Sequence, residues 1–154
     1  MPESLAAGGL EPTQDERTMA TLAHALQIVL SWIGPLVIFL IRRESRFVSF
    51  HALQALLLQI VQVVVIAVSF VGWFILMFTT LFINGTSKPP GNPPATLFLV
   101  FPLLWLLLMA TWITVFVLVI VYAVKANHGE WAEYPVLGRL ARRLLKMGPG
   151  GRAL

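Results

Sequence analysis

FHALQALLLQIVQVVVIAVSFVGWFILMFTTLFI, Phe50 to Ile83, carries no charged side chain across the 32 residues that follow His51. As an α-helix rising about 1.5 Å per residue, those residues extend roughly 48 Å, against a bilayer hydrocarbon core of about 30 Å. The stretch is long enough to cross a membrane with several turns to spare. Dividing it into two crossings fails on length, because one crossing needs roughly 17 to 25 residues. Its middle offers only Gly72 as a turn signal. One long helix is predicted, with Val63 to Ile83 in the bilayer and Gln54, Gln59 and Gln62 toward the headgroups.

The remaining chain answers to the same solvent. Of 154 residues 58% are apolar and 12% charged, where a soluble domain has about 45 to 50% and about 25%. There is no cysteine, which excludes a disulfide framework and thiolate zinc sites. No Gly-rich phosphate loop, nucleophile elbow or paired carboxylates within a span point to soluble-type catalysis. The expectation is a protein that is not an enzyme and holds no cofactor or metal.

Residues 1–18, MPESLAAGGLEPTQDERT, set Glu3, Glu11, Asp15 and Glu16 against Arg17 and read as a flexible acidic tail. They lack the basic start and cleavage site of a secretory signal. The next apolar run, TLAHALQIVLSWIGPLVIFLI, is about 31 Å long as a helix and reads as a first span over residues 21–41, kinked at Gly34-Pro35. A basic loop, RRESRFVSF, leads to the second span, 52–83. NGTSKPPGNPP, Asn84 to Pro94, is a loop. The third span covers 97–124, with Pro102 in its first turns.

Residues 135–147 differ in kind. Val136, Leu137, Leu140, Leu144 and Met147 recur at helical spacing opposite Arg139, Arg142, Arg143 and Lys146. That pattern predicts an amphipathic helix lying in the headgroup layer, begun by Pro135 and stopped by Gly148-Pro149, with 148–154 as a tail. The fold class expected is all-α: a polytopic membrane domain, residues 19–147, of three transmembrane helices plus a C-terminal amphipathic in-plane helix.

Three spans place Arg42, Arg43, Arg46 and the basic C-terminal segment on one side, nine Lys and Arg in all, against Arg17 and Lys88 on the other. The positive-inside rule then predicts an outside N-terminus and a cytoplasmic C-terminus in a bacterial cytoplasmic membrane. Arg42, Arg43, Arg46, Arg139, Arg142, Arg143 and Lys146 are the candidate contacts to anionic phospholipid headgroups. Nucleic acid is not expected as a partner.

In this topology His24 lies near the outer face and His51 and His128 near the inner one, so the three form no common site. Taking about 100° per residue and Gln54 as zero, His51 falls at about 60°, Gln62 at about 80°, Ser69 at about 60° and Gly72 near 0°. Thr111, Thr114, Tyr122 and Lys125 also share one face of the third span. Polar and small faces turn toward other helices, so Gln62, Ser69, Gly72, Thr111, Thr114 and Tyr122 are candidates for helix packing or for lining a path. No charged residue lies inside a span to support ion passage.

MATLAHAL at the first span, GPLVIFLIRRESRFVSFHALQAL across the first loop and YAVKANHGEWAEYPVLG after the third span resemble a family of small bacterial membrane proteins of unknown function. That family is related to the twenty-kilodalton subunit of the chloroplast inner-envelope import translocon. The resemblance covers roughly residues 18 to 145. It implies an all-helical membrane protein with its distinctive residues, Phe50, His51, Gln54, Gly129, Tyr134 and Pro135, at the cytoplasmic boundary. The plastid relative is described with four spans, against the three read here. The functional expectation is a non-enzymatic membrane protein acting by helix-mediated assembly with itself or a membrane complex. A channel or translocation component is the alternative.

Overall fold

The computed structural model describes residues 11–86 and 95–147. Residues 1–10, 87–94 and 148–154 lie outside it, and with them most of the expected acidic tail, of the Pro-rich loop and the whole C-terminal tail. The elements of the described chain are helices: α1 (Gln14–Leu30), α2 (Ile33–Ile41), α3 (Arg46–Thr86), α4 (Ala95–Asn127) and α5 (Leu137–Leu144).

The first correction concerns the expected flexible tail, which ends before Gln14 instead of at Thr18. Thr13 and Glu16 form a capping box: the Glu16 N–H donates to the Thr13 hydroxyl, and the Glu16 carboxylate accepts from the Thr13 N–H at 2.8 Å. Two of the orphan donors of a helix start are thereby satisfied.

The second correction removes a span. Residues 21–41 are not one kinked helix but the end of α1 and all of α2, broken at Ser31, whose φ of 54° lies in the left-handed region. Pro35 explains the break. It is the third residue of α2, and in a first turn its missing N–H has no intrahelical acceptor to lose. The proline therefore belongs to the start of a helix. α2 returns along α1 so closely that a Cβ on Gly34 would lie 2.6 Å from Leu26 Cβ. Ala23, Ile38, Val48 and Ala52 form the buried cluster beneath, flanked by Met19, Leu26 and Phe39. As a result the start of α1 and the end of α2 meet: Asp15 pairs with Arg42 at 2.8 Å, and the Ser45 hydroxyl donates to Glu16 at 2.6 Å. Neither α1 nor α2 is among the helices long and apolar enough to cross a membrane.

Among the described residues two helices are long and apolar enough to cross a membrane, within Arg46–Ile83 and Phe98–Asn127. The chain divides into two compact units. The first, residues 11–60 with 116–147 of the described chain, holds α1, α2, the opening of α3, the end of α4 and α5. The second, residues 61–115, holds the rest of α3 and α4, with Trp73 against Phe101 at 5.8 Å between ring centres. Its helices are apolar all round and expose Val68, Phe82, Phe98 and Leu106 widely, a surface that water does not tolerate and lipid does.

The turns that close α4 and α5 each use a left-handed residue. Gly129, φ +80°, ends α4 with Gly129 N–H to Ala126 and Glu130 N–H to Lys125. Lys146, φ 52°, ends α5 with Lys146 N–H to Arg143 and Met147 N–H to Arg142. These paired bonds are the Schellman arrangement. They stop α5 at Leu144, ahead of the Gly148-Pro149 pair expected to stop it, and its first residue is Leu137 where Pro135 was expected.

Candidate functional site

After Gly129 the chain runs to Tyr134 without regular structure, so its backbone polar groups need partners from elsewhere. Side chains from two helices provide them. His51 and Gln54, three residues apart on one face of α3, reach the loop together: His51 Nε2 lies 3.1 Å from the Glu130 carbonyl, and the Gln54 amide donates to the Ala132 carbonyl at 3.1 Å. Gln54 Oε1 then accepts the Tyr134 N–H at 2.8 Å. From α4, Tyr122 donates its hydroxyl to the Glu133 carbonyl at 2.7 Å.

The loop is tied on to α1 through its own tyrosine. Tyr134 Oη lies 3.4 Å from His24 Nδ1, and His24 Nε2 lies 3.2 Å from His51 Nδ1. The direction of every hydrogen bond in this chain follows from its end. The Glu130 carbonyl can only accept, so His51 Nε2 donates and a neutral His51 accepts at Nδ1. His24 must then donate from Nε2 and accept at Nδ1, which makes Tyr134 the donor. Both imidazoles are satisfied as neutral Nε2–H tautomers. Burial first, and His51 second, hold His24 far below the usual histidine range, consistent with that assignment. Burial first and Tyr122 second push the Tyr134 phenol above its usual value, so it keeps the proton it donates.

Aromatic packing fixes the ring positions. Phe47 meets His51 edge to face at 4.6 Å and Trp131 at 5.2 Å, while the Tyr122 and Tyr134 rings are 4.0 Å apart. α5 closes the site from the other side: Gly138 abuts Gln54, where a Cβ would lie 2.9 Å from Oε1 and 2.6 Å from Glu133 Cβ. Arg142 forms an ion pair with Glu133. A polar seam continues along α1, where Ser31 accepts from the Gln59 amide at 3.0 Å and Gln27 is buried with neither amide atom paired.

The structure therefore brings His51, Gln54 and Tyr134 into one network, with Phe50 buried beside His51, and places Gly129 at the turn that begins the loop. Pro135 is exposed. His24 is the main correction: expected across the bilayer from His51, it is in hydrogen-bonding distance of it. Tyr122, expected on a packing face, belongs to the same clasp. His128 is exposed and outside it. Gln62 is buried with its Nε2 unpaired; Ser69 is half-buried and Gly72 open, with no atom within 4 Å of its Cβ position. Thr111 and Thr114 donate to the Leu107 and Ala110 carbonyls of their own helix. The signal that would have found His24 is the spacing of His24, Gln27 and Ser31, one polar stripe on α1. Among the described residues, no three His, Asp or Glu side chains stand close enough together to hold a metal ion.

Chemically, the arrangement is a lock. Its donors and acceptors are matched to one another, and its hydrogen-bonded chain ends on a carbonyl that has no proton to pass on.

A helical unit clasped by buried histidines, together with two helices long and apolar enough to cross a membrane, defines a small all-helical membrane protein. The chain belongs to the magnetosome magnetite crystal formation protein family, which it matches over residues 15–141. It is 29% identical over 119 residues to a UPF0132 membrane protein of Methanocaldococcus jannaschii, covering 75% of this chain and 62% of that one. It is 30% identical over 122 residues to a UPF0132 membrane protein of Archaeoglobus fulgidus, covering 79% and 91%. The chain thus spans less than two thirds of the Methanocaldococcus relative. Both relatives are archaeal, where the sequence resemblance pointed to bacteria, and none of these descriptions speaks of protein import. No solved structure matches.

Proposed function

We propose that the protein is a non-enzymatic membrane scaffold: an interfacial unit made rigid by the His24–His51–Gln54–Tyr134 clasp, holding an apolar hairpin in the bilayer for assembly with a second copy or another membrane complex. The observation that carries this reading is the closed hydrogen-bond chain of the clasp. Polar groups that would serve a substrate are bound to each other, while Val68, Val71, Leu103 and Leu106 of α3 and α4 expose their apolar side chains. The family's description, magnetite crystal formation in magnetosomes, comes to this chain as a setting for such assembly in the surrounding membrane. A translocation path along Gln54 to Ser69 gains no support, because Gln54 is bound at both ends of its amide to the loop.

With α1 and α2 as a hairpin that enters the bilayer and returns, both termini fall on the cytoplasmic side. α2 is about 13 Å long, under half of the roughly 30 Å hydrocarbon core. Ten of the eleven Lys and Arg then share that side, leaving Lys88 opposite, a stronger bias than the three-span arrangement gives.

Residue-specific crosslinking from Gly72→Cys in native membranes tests the assembly, since that position is open and the chain has no other cysteine. A defined crosslinked partner is expected. Recovery of the monomer alone, from Gly72 and from Ser69 alike, would remove the proposal.

A further inference from the structure

The basic residues near the interface divide into two groups with different work. Arg42 is paired with Asp15, and Arg142, half-buried, with Glu133. Arg43, Arg46, Arg139, Arg143 and Lys146 have no carboxylate partner among the described residues, although Arg139 donates one N–H to the Pro135 carbonyl and Arg43 stands 5.8 Å over the Phe39 ring. Phe39 in turn packs on the cluster of Phe50, Leu53, Ala141 and Met147, which seats α5.

That seating fixes how α5 is turned. With about 100° per residue, Gly138, Ala141 and Leu145 share the arc pressed against the protein, and Arg142 borders it in its ion pair. Two arcs are left facing outward. One carries Val136, Leu140 and Leu144, which are 67%, 41% and 58% exposed. The adjoining one carries Arg139 and Arg143, followed beyond the helix by Lys146, all exposed. A sequence reading gives α5 two faces; the structure gives it three, and only the two outer ones are available to a partner.

We infer that this outward surface is a docking site for anionic phospholipid: Leu140 and Leu144 enter the acyl-chain boundary while Arg139, Arg143 and Lys146 engage the phosphates. The inference rests on the membrane reading above. Charge complementarity selects the partner, and the leucine arc beside the arginines selects lipid over a soluble phosphate, which has nothing to offer the leucines. Arg42 and Arg142 hold the unit together and take no part in lipid choice.

The test uses the full chain with Leu140→Cys carrying an environment-sensitive fluorophore, reconstituted into phosphatidylcholine vesicles with or without phosphatidylglycerol. The expected result is emission quenched by brominated lipid, more strongly with phosphatidylglycerol. R139Q/R143Q should reduce the preference for anionic lipid on the order of thirtyfold, at about fivefold for each basic residue, with thermal stability unchanged. R142Q should do the reverse, lowering stability and leaving the preference intact. A fluorophore in water in both vesicle types overturns the proposal, and so does a quenching that ignores phosphatidylglycerol or survives R139Q/R143Q. A chain that alkaline carbonate strips from the vesicles overturns the membrane reading as well, which separates the two failures.

Discussion

Gln54→Leu and Gln62→Leu make the same change on the same helix and are expected to act with opposite sign. The Gln54 amide holds the Ala132 carbonyl at 3.1 Å and the Tyr134 N–H at 2.8 Å. Leucine fills a similar volume but leaves both backbone groups without a partner, at about 1 to 3 kcal/mol for each unsatisfied group when buried. Tyr134 is buried, whereas Ala132 is half-buried and can recruit water. The net destabilisation expected is therefore about 3 kcal/mol, or on the order of a hundredfold in the unfolding constant. Gln62 is buried with an Nε2 that bonds nothing, so its replacement by leucine removes a desolvated donor and is neutral or stabilising by up to about 1 kcal/mol. Unfolding of the purified full chain in mixed micelles by rising SDS, followed by tryptophan fluorescence, measures both, since Trp131 packs on Phe47 inside the clasp. Equal losses from the two variants, or a Gln54→Leu protein as stable as the parent, would refute the claim that the loop is held by this amide.

Gly138→Ala places a methyl group 2.6 Å from Glu133 Cβ and 2.9 Å from Gln54 Oε1, an overpacking expected to cost about 1 to 3 kcal/mol in the same assay. Gly129→Ala forces a side chain into φ +80° and against Arg17 Nε at 2.9 Å, a loss of at least about 1 to 2 kcal/mol from the left-handed backbone, with Gly129→Asn milder because asparagine tolerates that region. His24 is held neutral in the folded protein while the unfolded chain binds its proton near the ordinary value of about 6.5. Its contribution to stability is thus complete above that pH and declines as pH falls below it; midpoints of SDS unfolding between pH 8 and 5 should show the decline, and His24→Gln should lower the midpoint at pH 8 while flattening the slope. Single cysteines replacing Asp15 and Lys146 should be labelled by an impermeant maleimide from one side of the membrane and a cysteine replacing Lys88 from the other.

Much of the helical content was legible from the sequence, for reasons that can be named. The 32 residues after His51 carry no charge and few polar side chains, so in lipid a helix, which pairs its own backbone groups, is the stable solution. The Thr13–Glu16 capping box that sets the start of α1 was present in the letters too, but the charge and small residues around it read as a tail. The clasp was half legible. Gln54 and His51 fall on one face by helical geometry, but their partners in the loop are the carbonyls of Glu130 and Ala132 and the N–H of Tyr134, and a backbone partner leaves no mark on residue identity. Gly138 shows the same limit, since the reason for a glycine there is the approach of Glu133 and Gln54 from other parts of the chain.

The lost span is the most instructive difference. Thr21 to Ile41 has the length of a crossing, about 31 Å, and the charge count does not object, because only Arg17 changes sides between the two arrangements. What speaks against a crossing is the polar stripe His24, Gln27 and Ser31, in which His24 and Ser31 would stand at different depths in hydrocarbon and each need a partner there. α3 offers them at matching intervals: His51 meets His24 and, two turns on, Gln59 meets Ser31. Since Asp15 and Arg42 also meet, α1 can be matched to α3 along its length only if the chain turns back after Leu30. Pro35 completes the argument, for four residues past a left-handed serine it sits in the first turn of a helix at no loss, whereas in the interior of a continuous span it would strand the Ser31 carbonyl in lipid.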